Sequence, residues 1–332
     1  MRTACLRRFL TKTEAPRPHD LPAPSHAHYP QVVTSLPSPL TGVRDRLGAE
    51  LFAKVAGPDG QRRREFIHGS AGQRWFEPTD PIARIHADSS MFVGGLRALF
   101  LQSLHPAAMQ GVADHSGYRG DMWGRLARTA NYIAITTFGT QRHALGAIEG
   151  VRSAHASVTG TLPDGTPYAA SDPHLLAWVH AAEISSFLAA HDAYGAHPLV
   201  GDDRDTYVAQ AGVSAAHLGV LGPPQTEAEL LATIEAYRPE LRITRAATEA
   251  FDFLIWHPDL ALAARPGYLT LVAAAIALLP GWARHELGFQ RWPREGAAVR
   301  IAGRAATGAI RWAMAPGHDH ARQLQRGASG QP

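Results

Sequence analysis

Apolar residues recur at helical spacing along almost the whole chain from residue 41 onward. Spacings of three and four residues place apolar side chains on one face of an α-helix. Three helix starts are marked by a capping residue, followed twice by proline: Asp80-Pro81, Asp172-Pro173 and Thr226. Gly195 marks the end of the second of these helices. The pattern predicts an all-α fold, with one helical domain over residues 41–315.

One short segment departs from the helical pattern. Residues 158–168 contain two β-prone stretches separated by Pro163-Asp164-Gly165, which is a turn signal. We therefore expect at most one short β-hairpin in the fold.

The two ends of the chain differ in composition from its body. Seven prolines lie between residues 16 and 39. Proline fixes φ and has no amide proton, so a segment this rich in proline does not readily join a regular element. We expect a disordered Pro-rich segment over residues 1–40 and a disordered tail over residues 316–332.

Charge, cysteine content and missing motifs exclude several classes of protein. The 332-residue chain has a formal net charge of +3 and no run of basic residues, so we expect no nucleic-acid partner. Its one cysteine, Cys5, excludes a disulfide scaffold, cysteine-ligated zinc and iron–sulfur clusters. The motifs of serine hydrolases, P-loop enzymes and dinucleotide-binding folds are missing. A metal must therefore be held by histidine, by carboxylate or by a macrocycle.

The longest apolar run is too short to span a membrane. It covers residues 268–279 between two prolines, whereas a spanning helix needs about 20 apolar residues. Arg7-Arg8 near the start is followed by a polar, proline-rich stretch, and not by the apolar region of an export signal. We expect a cytoplasmic protein without a transmembrane segment, and peripheral contact with a membrane surface stays open.

Two arginines and three hydroxyl groups share one face of a predicted helix over residues 121–138. They are Arg125, Arg128, Thr129, Tyr132 and Thr136. A solvated face of an amphipathic helix explains such a stripe. A polar wall facing a cavity also explains it, because arginine has a fixed charge and five donors for an anionic group. Spacing alone leaves both interpretations open.

His180 lies on an apolar face of the predicted helix 172–194, beside Trp178 and Val179 and one turn before Glu183. A buried histidine is either a core side chain bonded to the backbone or a metal ligand in its neutral form. One imidazole does not hold free zinc or iron, but it can hold haem, in which the porphyrin supplies four nitrogens. Haem bound through His180 is therefore the simplest functional hypothesis.

Three further histidines are candidate cofactor-binding residues with His180: His105, His115 and His155. His105 can instead cap a helix C-terminus, Asp114 can cap the next element, and His155 can simply pack in the core. A non-haem iron site built from His105, His115 and His180 is an alternative to haem.

Seven short motifs occur in one order between residues 80 and 180, within a resemblance that covers about residues 75–290. They are Asp80-Pro-Ile-Ala-Arg-Ile-His86, Leu104-His-Pro-Ala-Ala-Met109, Ala113-Asp-His-Ser116, Arg125-Leu-Ala-Arg-Thr129, Thr137-Phe-Gly-Thr140, Val151-Arg-Ser-Ala-His155 and Leu176-Ala-Trp-Val-His180. In this order the motifs resemble those of the family of MpaB-type oxygenases and latex-clearing proteins, which are rubber oxygenases.

The resemblance implies a globin-reminiscent bundle that holds haem b, with His180 as the proximal metal ligand. The family's distal motif falls on Arg125, Arg128 and Thr129, which the resemblance makes catalytic residues. The rubber-cleaving members have a lysine where this chain has Arg128. A guanidinium offers no free lone pair to iron, so we expect a distal position that is open or filled by water.

A second departure concerns the acidic residue that the resemblance places near the distal pocket. Between Glu77 and Glu149 the chain has no glutamate, only aspartates. If a carboxylate removes an allylic proton during alkene cleavage, Asp114 is the nearest candidate for this catalytic role. The departure argues against polyisoprene as the substrate.

The function implied by these features is that of a haem b-dependent mono- or dioxygenase. Its partners would be dioxygen and an apolar, unsaturated small molecule of isoprenoid-like or lipid-like chemistry. Three alternatives stay open: a non-catalytic haem-binding or gas-sensing protein, the non-haem iron oxygenase, and a helical scaffold without a cofactor.

Overall fold

The structure is a computed structural model that describes residues 39–57, 59–115, 122–256, 258 and 260–315. Within these residues it contains fourteen α-helices, three short 3₁₀ segments and one two-stranded hairpin, which confirms the all-α prediction. The first helix begins at Pro39, two residues before the predicted start of the domain. The rest of the segment 1–40 and the tail 316–332, both predicted to be disordered, lie outside the described residues.

The helices are α1 (Pro39–Ala56), α2 (Gly60–Gly69), α3 (Pro81–His86), α4 (Met91–Gln102), α5 (Pro106–His115), α6 (Met122–Phe138), α7 (Gln141–Ala156), α8 (Pro173–Tyr194), α9 (Asp203–Leu218), α10 (Glu227–Tyr237), α11 (Arg245–Trp256), α12 (Arg265–Ala277), α13 (Gly281–Glu286) and α14 (Ala297–Met314). The hairpin strands are β1 (Thr159–Thr161) and β2 (Pro167–Ala169). The 3₁₀ segments are Arg238–Glu240, Leu262–Ala264 and Phe289–Arg291.

The marked helix starts are confirmed. Helices α3 and α8 begin at their prolines, and Gly195 follows the last residue of α8. The Asp172 carboxylate accepts a hydrogen bond from the backbone N–H of His174 at 3.0 Å, and Thr226 caps α10 in the same way. These side chains satisfy amides that have no partner within the first turn of a helix.

The predicted hairpin is present in the position that the turn signal indicates. Strands β1 and β2 pair antiparallel, with Gly160 opposite Tyr168. Gly165 in the turn has a φ of 90°, a conformation that side-chain-bearing residues rarely adopt. The Tyr168 hydroxyl donates to the Asp114 carboxylate at 2.7 Å and so connects the hairpin to the end of α5.

Helix α8 lies at the centre of the described fold. Fifteen of its 22 residues are buried, so it is covered on nearly every side and not only along the apolar stripe that contains His180. It packs closely along α4, because Gly94 has no side chain where a Cβ would lie 3.0 Å from Phe187. The central position of α8 explains why its sequence is apolar around most of its circumference.

A buried arginine joins three elements of the core. The Arg97 guanidinium on α4 donates to the Ser186 hydroxyl on α8 at 2.7 Å and to the Leu278 carbonyl just after α12 at 3.0 Å. Burial without a carboxylate partner lowers the pKa of Arg97 to about 10. Helix α12 carries the longest apolar run, and no described helix is both long enough and apolar enough to cross a bilayer.

Candidate functional site

A small cavity lies beside His180, between helices α3, α6, α8 and α9. Its volume is about 40 Å³. Its walls combine isoleucine, alanine and phenylalanine side chains with seven polar ones: His86, Tyr132, Thr136, Thr137, His180, Glu183 and Ser214. So many polar side chains around one small cavity are unusual in a protein core, and they mark this cavity as the candidate site.

His180 is held on the buried face of α8. The residue is 8% exposed, and its Nε2 atom is buried without a hydrogen-bond partner. Burial lowers the pKa of His180 to about 4, so the ring is neutral at pH 7. A neutral imidazole with an uncommitted nitrogen is the form that binds a metal. The structure thus leaves His180 chemically suited to its predicted role as a ligand.

Glu183 follows His180 by one helical turn and lines the same cavity. Burial raises the pKa of its carboxyl group to about 7, because the apolar surroundings disfavour the charged form. A carboxyl group with this pKa gains and loses its proton near neutral pH. This is the property expected of a group that transfers protons in an enzyme.

His86 enters the cavity from α3 and is not among the site residues predicted from the sequence. Its Nδ1 atom lies 2.7 Å from the Thr137 hydroxyl, while its Nε2 atom is buried without a partner. Burial lowers the pKa of His86 to about 3, so this ring is also neutral. The only signal for His86 was its place at the end of the first family motif.

The polar face predicted on α6 divides into two parts. Tyr132 and Thr136, in its C-terminal half, line the cavity. Burial, and next the Glu183 carboxylate, raise the pKa of Tyr132 well above its usual value, so its hydroxyl keeps its proton. For these two residues the interpretation as a cavity wall is the one that the structure supports.

Arg125, Arg128 and Thr129 lie in the N-terminal half of α6 and do not line the cavity. Arg128 and Thr129 are exposed, and the Thr129 hydroxyl donates back to the Arg125 carbonyl at 3.3 Å. Arg125 is half-buried, and burial together with the charge of Arg128 lowers its pKa. The structure does not bring these three residues to His180, and their distal role stays a prediction.

Asp114 and His115 lie at the end of α5, against the hairpin. Asp114 is exposed, and its carboxylate accepts hydrogen bonds from the Tyr168 hydroxyl and the Gln110 amide. His115 is exposed with its Nε2 atom 3.0 Å from the Thr159 carbonyl. Neither residue lines the cavity, because both are used to position the hairpin.

His155 and His105 are also remote from the cavity lining. His155 lies in the last turn of α7, where partial burial lowers its pKa. His105 lies in the turn between α4 and α5, after the last residue of α4, where its possible ligand atoms approach those of His174 and Glu240. In the described part of the chain, His105, His174 and Glu240 are the one set of three histidine, cysteine or acidic residues whose possible ligand atoms all lie within 4.8 Å of one another. The iron site built from His105, His115 and His180 is therefore not assembled.

The all-α fold with a buried, polar-lined cavity is consistent with a cofactor-dependent helical enzyme. A family model described as ER-bound oxygenase mpaB/B'/Rubber oxygenase, catalytic domain, matches residues 83–312, which is more than half of the chain. The chain therefore belongs to this oxygenase family, as the motif order predicted. No curated protein and no solved structure matches the chain.

The cavity fits only one part of what haem b requires. The uncommitted Nε2 atom of His180 fits an axial ligand to haem iron. The volume does not fit a porphyrin: pockets for ligands of that size occupy about 300–1,000 Å³, whereas about 40 Å³ holds about one or two water molecules. The His180 nitrogen therefore suits haem iron, whereas the volume of the cavity does not suit the porphyrin.

Proposed function

We propose that this chain is an iron-dependent oxygenase whose iron is held by His180 and whose substrate is an apolar, unsaturated small molecule. The observation that carries the proposal is the buried Nε2 atom of His180, which has no hydrogen-bond partner and belongs to a residue lining a cavity in an oxygenase-family chain. A non-catalytic haem carrier or gas sensor would have no need of the proton-exchanging carboxyl group of Glu183 beside that cavity.

From the resemblance we propose that the iron is carried by haem b, with His180 as the proximal ligand. Bound haem b would supply the metal centre at which dioxygen is activated. The walls of the cavity must then move apart, and α6 is the wall we expect to move. Of its described side chains, only those of Ala127, Thr136 and Thr137 are buried. A shift of α6 is also the way in which Arg125, Arg128 and Thr129 could form the distal wall.

The chain's own residues have separable tasks in this proposal. Glu183, and not Asp114, is the carboxyl group that lines the cavity, so we assign proton exchange with the substrate to Glu183. The Tyr132 hydroxyl keeps its proton and lines the cavity, so it can donate to a bound molecule. The Thr136 hydroxyl donates to the Tyr132 carbonyl at 2.9 Å and can therefore only accept from the cavity. Its isoleucine and phenylalanine side chains exclude water and favour an apolar substrate.

A non-haem iron oxygenase is the second candidate, and the small volume of the cavity favours it. His86, His180 and Glu183 provide two imidazoles and one carboxylate, which is the ligand set of many non-haem iron oxygenases. Their donor atoms do not all lie within 4.8 Å of one another. Their side chains would therefore have to rotate towards a shared ion.

Iron and haem content, measured on the purified full-length chain, distinguish the two candidates. We expect about one haem per chain in the wild type, loss of haem in His180→Ala, and unchanged haem in His285→Ala, a variant of an exposed histidine. Iron without haem that is lost in His86→Ala as well as in His180→Ala would select the non-haem site. An unaltered haem content and Soret band in His180→Ala would eliminate His180 as the ligand.

Oxygen uptake tests the catalytic part of the proposal. We expect consumption of dioxygen when unsaturated lipids or terpenoids are added to the loaded protein, and none with saturated lipids of equal chain length. Haem-loaded protein that binds dioxygen reversibly and consumes none with any of these compounds would instead be a carrier or sensor.

A further inference from the structure

A second cluster of polar side chains lies at the first turn of α8, apart from the cavity beside His180. It is formed by His105 between α4 and α5, His174 on α8, and Glu240 at the end of the 3₁₀ segment Arg238–Glu240. The possible ligand atoms of all three lie within 4.8 Å of one another, and none of the three residues lines the cavity. We propose that this cluster, the corner site, binds one Zn²⁺ ion that joins the three segments.

An ordinary ion pair between His174 and Glu240 does not explain the surroundings of His105. The residue is only 8% exposed, and neither of its ring nitrogens has a hydrogen-bond partner. Its Nε2 atom lies 3.6 Å from Oε2 of Glu240, which is too far for a hydrogen bond. A buried nitrogen left in this way is costly unless a cation binds to it.

The hydrogen bonds of His174 define which way its ring faces. The Tyr237 hydroxyl donates to the His174 carbonyl at 2.7 Å, so towards the ring its oxygen can only accept. Nδ1 of His174, 3.2 Å from that oxygen, is therefore the donor to it. Nε2 lies 3.0 Å from both carboxylate oxygens of Glu240. A ring nitrogen this close to two anionic oxygens requires a cation between them, either a proton or a metal ion.

The separations of the donor atoms suit zinc. Ligand atoms at about 2.1 Å from a tetrahedral Zn²⁺ ion lie about 3.4 Å from one another. The two distances to Oε2 of Glu240, 3.0 Å from His174 and 3.6 Å from His105, lie on either side of that value. Two imidazoles and one carboxylate are ligands that zinc accepts, whereas calcium and magnesium prefer oxygen alone. His174 and Glu240 are half-exposed, which leaves room for water as a fourth ligand.

The backbone around the corner site is already held in place. The Arg242 N–H, two residues after Glu240, donates to the carbonyl of Leu104, the residue before His105, at 2.9 Å. The Tyr237 ring packs on Trp178 with 5.3 Å between ring centroids. Zinc would therefore bind to a nearly formed site, and binding would connect the end of α4, the start of α8 and the segment after α10.

Equilibrium dialysis of the full-length protein against Zn²⁺, followed by metal analysis, tests the proposal. We expect one Zn²⁺ per wild-type chain, and affinity at least about tenfold weaker in Glu240→Gln and in His174→Gln. The matched controls are Glu235→Gln and His285→Gln, which change exposed residues outside the cluster and should bind as the wild type does. Equal thermal midpoints of all metal-free proteins would show that a weaker affinity reflects the loss of a ligand and not unfolding.

Two outcomes would overturn the corner site. One is the absence of Zn²⁺ binding by the wild type, which would leave a protonated His174 paired with Glu240 as the explanation of the cluster. The other is equal binding by the wild type and both cluster variants, which would locate the zinc elsewhere in the chain. His180→Ala should bind Zn²⁺ normally, so failure of the proposed oxygenase site would not affect this result.

Discussion

Two of the three histidines on helix α8 have opposite surroundings, His180 at the cavity and His174 at the corner site. They are six residues apart, which corresponds to about 9 Å along the helix. His180 is buried, and its pKa is lowered by burial alone. His174 is half-exposed and faces the Glu240 carboxylate at 3.0 Å. The same side chain is therefore kept neutral in one place and given an anionic neighbour in the other.

The difference shows how one helix can support two kinds of chemistry. A cavity in which burial favours the neutral forms of the histidines and of Glu183 suits uncharged partners such as dioxygen and an alkene. A carboxylate beside two imidazoles attracts a cation. Burial determines the chemistry of His180, and the Glu240 carboxylate determines that of His174. Neither effect depends on the helix itself.

The largest effect is expected from Trp178→Ala, which removes packing that lies between the two sites. Trp178 is fully buried, packs on Tyr237 and donates its Nε1–H to the Gln102 carbonyl at 3.2 Å. We expect the free energy of unfolding to fall by about 3–5 kcal/mol in a urea titration. Trp312→Ala, at an exposed tryptophan on α14, should change it by less than about 0.5 kcal/mol. Small and equal losses of unfolding free energy in Trp178→Ala and Trp312→Ala would show that α8 does not depend on this packing.

Glu183→Gln tests the cavity through the pH dependence of stability. The pKa of Glu183 is raised from 4.5 to about 7 on folding, so protonation favours the folded state. Its stabilisation is complete below pH 4.5 and is lost as the pH rises through about 7. The variant is always neutral and avoids this loss. We expect it to gain about 2 kcal/mol over the wild type between about pH 5 and about pH 8, less than the full shift because the carboxyl group is partly exposed to the cavity.

The measurement for Glu183→Gln is urea unfolding of iron-free protein across this pH range. Glu235→Gln, at an exposed glutamate, should follow the wild type at every pH. Parallel curves for the wild type and Glu183→Gln would mean that the carboxyl group is solvated and has no role in proton exchange.

The smallest effect is expected from Tyr237→Phe, which changes only the surroundings of the corner site. The variant loses the hydroxyl that donates to the His174 carbonyl and accepts from its ring. We expect a loss of about 1 kcal/mol in stability and about tenfold weaker Zn²⁺ binding. Tyr268→Phe removes a similar buried hydroxyl, bonded to the Leu254 carbonyl at 2.8 Å, and should lower stability without changing the affinity for zinc.

Much of the fold could be predicted because its signals act within a few residues. The prolines after Asp80 and Asp172, the cap at Thr226 and the turn at Gly165 each specify local backbone geometry. The burial of His180 was expected for the same reason, since it lies among apolar residues on its own helix. The polar face of α6 was predicted as a whole, but only its end at Tyr132 and Thr136 reaches the cavity.

The partners in both sites could not be predicted in this way. His86 reaches the cavity from α3, and Glu240 lies 66 residues beyond His174. No spacing along the chain relates such residues, because their approach depends on how the helices pack. For the same reason the sequence did not show that the Asp114 carboxylate bonds to Tyr168 of the hairpin, or that Glu183 is the carboxyl group that lines the cavity.

By itself, the sequence determined the all-α class, several helix ends, the hairpin and the oxygenase family, since caps, turns and motifs are read from neighbouring residues. Only the tertiary structure decided which histidine lies beside an exposed carboxylate and which lies in a buried cavity. The physical reason is that desolvation and ion pairing depend on what surrounds a side chain in space, and helices distant in sequence supply those surroundings.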